Sequence, residues 1–329
     1  MISVICPTYN EEKYIKSCIE SIIAQDYPKN DLEVIFVDGM STDKTRSIIG
    51  QYQVLYDFIK LVDNPHRIVP YAMNTGIEKA KGQIIIRIDA HTLYQPNYFS
   101  ALSKRLIELK ADNVGVVCKT DVLNKTPKTL AIKEVRSNRF GVGNSMFRFG
   151  IDKVQEVDAV PFCCCRREVF DKYGLYDVRL VRNQDIELNK RIKRGGGKIF
   201  IIPDTYCTYL ARETFSALSK NNYANGKWNI LTVFYTKNID SLSIRHFIPL
   251  LFVMAISLPV LLSFIFMPFI YLSIIAITLY LLLIGSVSIS LALKKNLNIL
   301  LLIVAFTTLH ISYGCGSLAA IIKLPFIKQ

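Results

Sequence analysis

The chain has 329 residues, 51% of them hydrophobic, and a formal net charge of +13. That length allows two domains. No Lys/Arg-rich tract or nucleic-acid motif accompanies the charge, which argues against nucleic acid as a partner, and no Gly-x-Gly-x-x-Gly follows the first apolar run, which argues against a dinucleotide oxidoreductase.

In chain order, short β-rich runs alternate with helical patterns, the signature of a parallel sheet flanked by helices. Strands are expected at Ile2–Cys6, Leu32–Val37, Phe58–Val62, Gln83–Ile88 and Val114–Cys118. Helices are expected at Glu11–Ala24, where Tyr14, Ile15, Cys18, Ile19, Ile22 and Ile23 form one stripe, and at Asp43–Gln51, Val69–Lys79 and Asn97–Leu109. No signal-peptide pattern precedes the first strand, so this globule is expected to stay in the cytoplasm. The eight cysteines show no Cys-x-x-Cys spacing and three are consecutive, Cys163 to Cys165. That suits neither a zinc site nor a disulfide framework and reads as a buried strand of reduced thiols. Gly195 to Gly197 reads as a helix stop before a strand at Lys198–Ile202.

The composition changes at His246. Beyond it there is no Asp or Glu, and four of the 40 cations, Lys294, Lys295, Lys323 and Lys328, so the first 246 residues keep +9. A basic globule beside lipid suits an anionic cytoplasmic leaflet and phosphate-bearing ligands. Phe247 to Leu293 is 47 residues without a charge, room for two spans turning at Pro268, and Leu297–Ile322 makes a third. This arrangement returns Lys294 and Lys295 to the cytoplasmic side but sends Lys323 and Lys328 out, against the positive-inside tendency; a re-entrant segment would remove the conflict. Residues 213–245 mix Trp228, Tyr223 and Tyr235 with Lys220, Lys227 and Lys237, as expected of helices lying in the lipid interface.

In open α/β sheets ligands gather at the carboxyl ends of strands. The polar residues there are Thr8, Asn10 and Glu11, then Asp38, then Asp89 and His91. Asp38 ends an apolar strand before a Gly turn; it is placed either to accept a base N–H or to cap the next helix, and Thr42 or Asp43 fits the cap better, leaving Asp38 free. Asp89 offers an oxygen ligand for a hard divalent cation or stands as a turn residue; His91 is a ligand suited to Mn²⁺ more than Mg²⁺, or a loop-holding hydrogen bonder. Asp185, before an amphipathic helix at Ile186–Arg194, is a general base or a helix cap. Asp158 is open between a site role and a plain surface position.

Cys6-Pro-Thr-Tyr-Asn-Glu11, Val37-Asp-Gly-Met-Ser-Thr-Asp43, Arg87-Ile-Asp-Ala-His91 and Asn183-Gln-Asp-Ile-Glu187 occur in the order and spacing of family 2 glycosyltransferases. Over about residues 1–235 the chain resembles that family, in particular its membrane-anchored, succinoglycan-type exopolysaccharide branch. The resemblance implies an α/β GT-A domain with a mostly parallel sheet, here 1–212, followed by interfacial helices at 213–245 and a helical transmembrane region at 246–329. It implies a UDP-sugar donor held by Pro7, Thr8, Tyr9, Glu11, Asp38 and Asp89, a Mn²⁺ or Mg²⁺ ion on Asp89 and His91, and Asp185 as catalytic base. Gln184 stands where the family often carries Glu. Gln184 and Trp228 are assigned to the acceptor, a lipid-linked or membrane-associated glycan in cell-surface polysaccharide synthesis at the cell membrane, with an inverted linkage. Ala224 and Lys227 depart from the Gln-x-x-Arg-Trp of processive members, which disfavours a polymer synthase. Two other readings stay open: transfer directly to a polyprenyl phosphate, and a non-catalytic membrane scaffold.

Overall fold

The computed structural model describes residues 1–143, 146–238 and 244–327. Lys328 and part of the 213–245 segment lie outside the described residues. The chain divides into two compact units, residues 1–119 with 146–210, and residues 120–145 with 211–329.

The first unit is built on a mixed nine-stranded sheet: β1 Ile2–Thr8, β2 Leu32–Asp38, β3 Ile59–Asp63, β4 Ile84–Arg87, β5 Thr92–Tyr94, β6 Asn113–Asp121, β7 Gln155–Glu156, β8 Cys164–Arg166 and β9 Ile199–Leu210. The order is β3-β2-β1-β4-β8-β6-β9-β5, with β7 on β9. β1 to β4 pair in parallel as the periodicity predicts. From β4 onward the pairing turns antiparallel, at β4–β8, β6–β8, β5–β9 and β7–β9. The sheet is therefore parallel in its first half and antiparallel in its second.

The parallel half is buried on both faces, which explains its near-continuous apolar runs. Val4, Cys6, Phe36 and Ile86 face one core together with Cys18, Ile19 and Ile22. Their alternates Ile5, Ile35, Val37 and Ile85 face the other, with Met73 and Ile77 of helix Val69–Lys79. The helices fall at Ile15–Ile23, Thr45–Leu55, Val69–Lys79 and Tyr98–Glu108. The second runs four residues past its predicted end, where Val54 and Leu55 are exposed and no core contact marked them. The Cys run is buried, with Cys164 and Cys165 in β8; the sulfurs of Cys163 and Cys165 lie side by side, and Cys164 is free. Alternate residues of a strand share a face, so the one-residue gap brings these two together.

The second unit is helical. Helix Phe215–Thr236 is no amphipathic raft: it packs along helix Ile299–Lys323, where Gly226 admits the Tyr313 carbonyl, Gly316 admits the Tyr223 carbonyl, and Ser317 Oγ donates to Gly226 O at 3.0 Å. Missing side chains let the two backbones touch. Residues 120–145, unreadable in the sequence, supply helix Pro127–Arg136, whose Ala131, Ile132 and Val135 cluster with Ile284, Leu302 and Phe306. Among the described residues, Met267–Lys295 and Ile299–Phe326 are long and apolar enough to cross a membrane. Helix Ile248–Leu262, expected to be a third span, has 15 residues. At ~1.5 Å per residue it reaches about 22 Å, short of a hydrocarbon core of about 30 Å.

Glu33 ties β2 to its neighbours. It accepts from Ser3 Oγ at 2.5 Å, from Lys60 Nζ at 2.6 Å and from the Lys81 N–H. Burial pushes its carboxyl up, but the hydrogen bonds from Lys60, Ser3 and Lys81 outweigh burial and hold it below its ordinary value of 4.5. A depressed carboxylate contributes stability that is present above that ordinary value and lost as pH falls through the folded one. Glu33→Gln is expected to cost about 1–3 kcal/mol near pH 7. The difference from wild type should shrink in thermal melts taken below pH 4.5; a gap that is constant with pH contradicts this.

Candidate active site

The parallel register sets the site. Thr8 pairs with Asp38, and Asp38 with Asp63, so three strands end at one level. β4 ends at Arg87, one strand over, and its continuation carries Asp89, Ala90 and His91. Between these ends opens a cleft of about 160 Å³ lined by Pro7, Thr8, Tyr9, Glu11, Arg87, Asp89 and His91, with Gly39, Asn64 and Arg67 on the opposite wall. The sequence-predicted residues of the first and fourth strand ends therefore meet around one opening.

The Pro7–Glu11 loop is held by the next loop. Asn10 adopts φ 53° and its side chain accepts from Thr42 N at 2.9 Å, while Glu11 N donates to Thr45 Oγ1 at 2.8 Å. Asp43 accepts from Thr45 N and from Glu12 N, but it stands one residue ahead of Lys44, the N-cap of helix Thr45–Leu55, which has no side-chain capping bond. Gly39 lies beneath Tyr9: an added Cβ would sit 3.2 Å from Tyr9 Cδ2 and 3.3 Å from Arg67 Cα.

Asp38 is not free, contrary to the sequence reading. It is fully buried and accepts from Ser41 N at 2.8 Å, Ser41 Oγ at 2.5 Å and Arg46 Nη1 at 2.8 Å; Arg46 also bridges to Asp63 at 2.8 Å. Its neighbours Val37 and Gly39 line the cleft. The error arose from assigning the turn's hydrogen bonds to one acid, when the turn uses both. A carboxylate has about four acceptor positions, so three bonds leave one.

Asp89 and His91 stand on opposite sides of Ala90, each held in place. Tyr94 Oη accepts from Asp89 N at 2.8 Å and donates to Asp89 O at 3.1 Å, which fixes the backbone of the Asp. Arg87 Nη2 lies 3.3 Å from Asp89 Oδ1. His91 Nδ1 lies 3.1 Å from Glu11 Oε1. Burial alone would lower the His91 pKa, but the hydrogen bond to Glu11, with Tyr209 and Asp89 nearby, raises it to about 9. With Nδ1 at Glu11, Nε2 is the nitrogen turned away from that carboxylate, and it can bind a metal only when the metal displaces the proton that the raised pKa keeps there. Among the described residues no group of three or more His, Cys, Asp or Glu is disposed to hold a metal ion. Asp89 and His91 fit a divalent cation that draws its remaining oxygens from a bound diphosphate and water.

Arg87 is the site residue the sequence quoted but gave no role. Its guanidinium is buried, lines the cleft, and leaves Nε and Nη1 without hydrogen-bond partners among the described residues. Burial works against its charge, and the Asp89 and Asp185 carboxylates more than restore it. Asp185 thus lies within electrostatic reach of the cleft floor. It sits in the first turn of helix Gln184–Arg194, behind Asn183 at φ 62°. It does not cap that helix; its Oδ1 accepts from Ile186 N at 3.0 Å, and its second oxygen takes no hydrogen bond among the described residues. Gln184 is buried, with Oε1 unpartnered among the described residues. Asp158 is exposed and pairs with Lys190 at 3.4 Å, a surface position. Trp228 belongs to the second unit, half-buried, with its ring stacked 6.5 Å from that of Tyr235.

The sequence model described as glycosyl transferase family 2 matches residues 3–174. The dolichyl N-acetyl-α-D-glucosaminyl phosphate 3-β-D-2,3-diacetamido-2,3-dideoxy-β-D-glucuronosyltransferase of Methanococcus voltae is 28% identical over 68% of this chain and 71% of its own length. The succinoglycan biosynthesis protein ExoA of Rhizobium meliloti is 28% identical over 68% and 67%. Among solved structures, mannosyltransferase PcManGT from Pyrobaculum calidifontis, in complex with GDP-Man and Mn²⁺, covers 98% of this chain and 87% of its own at TM-score 0.60 and 17% identity. The S. aureus TarS fragment with UDP-GlcNAc covers 97% and 90% at TM-score 0.53 and 16% identity; of full-length TarS this chain spans 45%. These likenesses establish the GT-A fold.

A raised histidine contributes stability that is complete below its ordinary pKa of 6.5 and disappears as pH rises through about 9. Glu11→Gln should return the His91 titration toward 6.5, read by NMR. Its destabilisation, roughly 2–3 kcal/mol, should be greatest below pH 6.5 and absent above about pH 9. A His91 titration left in place would contradict the pairing.

Proposed function

The chain belongs to glycosyl transferase family 2, and from that premise we propose that it is an inverting transferase that adds single sugars from a UDP-sugar to a lipid-linked glycan at the cytoplasmic face of the cell membrane. The observation that carries this reading is the cleft at the carboxyl ends of β1, β2 and β4, where Arg87, Asp89 and His91 face the Pro7–Glu11 loop. Relatives include one whose name specifies a dolichyl-phosphate-linked sugar as acceptor and one that serves succinoglycan biosynthesis, which supports a lipid-linked glycan over a soluble one.

Pro7, Thr8 and Tyr9 flank the base of the donor, and Asp38, held by Ser41 and Arg46, serves the donor indirectly by fixing the Gly39 turn beneath Tyr9. Asp89 and His91 would hold Mn²⁺ or Mg²⁺, which when bound offsets the charge of the departing nucleoside diphosphate. Glu11 orients His91 for that task. Asp185 takes the proton of the acceptor hydroxyl as its oxygen forms the bond to the anomeric carbon. The bond from that carbon to the diphosphate breaks on the opposite face, so a UDP-α-sugar gives a β-linkage. No second carboxylate is needed, since the leaving group departs as a diphosphate rather than as an alcohol. Gln184 and Trp228 serve the acceptor.

Asp185→Asn is expected to lower kcat by at least about 10²-fold, the low end of what a general base contributes, with donor affinity within a few-fold of wild type. Mass spectrometry of the lipid product separates one added sugar on a lipid-linked glycan from a sugar phosphate on polyprenol and from a long polymer. Unchanged turnover by Asp185→Asn, or a product of either other kind, refutes the proposal.

A further inference from the structure

The apolar tail passes for membrane spans by length, yet the hairpin of helices Ile248–Leu262 and Ile270–Lys295 has a turn unsuited to emerging into water. Ser263 is followed by six residues, 264–269, all apolar. Phe264 is 85% exposed and Ile265 86%. Much of the turn's backbone is paired internally: the N–H groups of Ser263, Phe264, Ile265 and Phe266 donate to carbonyls of Pro259, Leu261 and Leu262, and that of Phe269 to Phe266. A turn whose backbone N–H groups are mostly paired internally and whose exposed side chains at Phe264, Ile265, Phe266 and Met267 are all hydrocarbon-rich suits an acyl-chain environment.

The first arm is short, and the base of the second is engaged in packing. The first spans about 22 Å by its 15 residues. The second is predominantly apolar to Ile284; then comes Gly285-Ser-Val-Ser-Ile-Ser290, and Ile284, Val287 and Leu291 pack in the cluster of helix Pro127–Arg136. Lys295 at its end pairs with Glu134. The part left for lipid, 270–283, is about 21 Å long, against a core of about 30 Å.

Helix Ile299–Lys323 meets this hairpin at its base. His310 Nδ1 lies 3.0 Å from Tyr280 Oη, Gly314 abuts Pro249 and Val253, and Ala320 and Leu324 cluster with Phe247 and Leu250. One flank of the helix is covered by Phe215–Thr236, a helix carrying Lys220, Asn222, Lys227 and Asn229. If Ile299–Lys323 crossed the bilayer, that polar helix would have to follow it into lipid, at a cost of kilocalories for each charge.

We propose that residues 248–283 form a re-entrant hairpin that enters and leaves the bilayer on one side, its turn dissolved in acyl chains. Helix Ile299–Lys323 lies across the hairpin's base without crossing the membrane. Lys294, Lys295 and Lys323 then face the same side, in accord with the positive-inside tendency. This inference concerns seating alone and stands or falls independently of the transfer reaction.

The test is labelling of single-cysteine additions by a membrane-impermeant maleimide in sealed right-side-out and inside-out vesicles, with the parent protein as background. Ile265→Cys should resist labelling from both sides and react only after detergent. Lys294→Cys and Lys323→Cys should react from the same side. Labelling of Ile265→Cys from either aqueous side, or reaction of Lys323→Cys from the side opposite Lys294→Cys, overturns the proposal. Should Ile265→Cys fail to fold, Ser263→Cys carries the same two outcomes.

Discussion

Acids gathered at the edge of a buried sheet need cations built beside them, and most of the site follows from how that need is met. Asp38 and Asp63 end paired strands and share Arg46. Asp89 is met by Arg87, and Glu11 by His91. A buried charge without a partner is strongly destabilising, so each acid can be held at the strand ends only because a cation accompanies it. Such pairing leaves a preformed polar cleft in which a charged donor replaces water rather than opening a closed structure.

The pairs also divide labour. The Asp38–Arg46–Asp63 bridge lies behind the cleft wall and stiffens the turn through Ser41. The Arg87 guanidinium lies on the cleft itself and is felt by both Asp89 and Asp185, although these residues come from different elements of the sheet's two halves. Arg87 thus links, by charge, the strand end that carries Asp89 to the helix start that carries Asp185. Tyr94, reaching back to both backbone polar groups of Asp89, gives the same strand end a fixed direction. Preorganisation of this kind is what positions reacting groups without reorganisation at the moment of transfer.

Much of this was legible in the sequence where one physical rule governed. Parallel strands buried on both faces write continuous apolar runs, so β1 to β4 and their helices fall close to where periodicity puts them. The mixed second half was not legible, because β5, β7 and β8 are two or three residues long and their pairing is decided by distant partners. The acids were found because strand ends collect ligands, but Asp38's engagement was missed: its partner Arg46 is eight positions away on a helix, and nothing local announces it. Arg87 was quoted with its motif but given no role, because nothing in the sequence around it shows that its guanidinium is buried against the cleft. Trp228 and Tyr235 suggested a lipid-facing helix, yet Gly226 and Gly316 were the telling residues, since small side chains mark backbones in contact. Apolar length alone suggested three spans; the unbroken hydrophobic turn at 264–269 carries the information about depth.

The account rests on Asp89 serving the donor's diphosphate together with a divalent cation. The direct measurement is calorimetric titration of UDP into the purified protein with and without Mn²⁺, repeated with Asp89→Ala. Binding that requires Mn²⁺ in the wild type and is weakened at least about tenfold, or 1.4 kcal/mol, by Asp89→Ala is the predicted result. Binding indifferent both to Mn²⁺ and to the loss of Asp89 would contradict it.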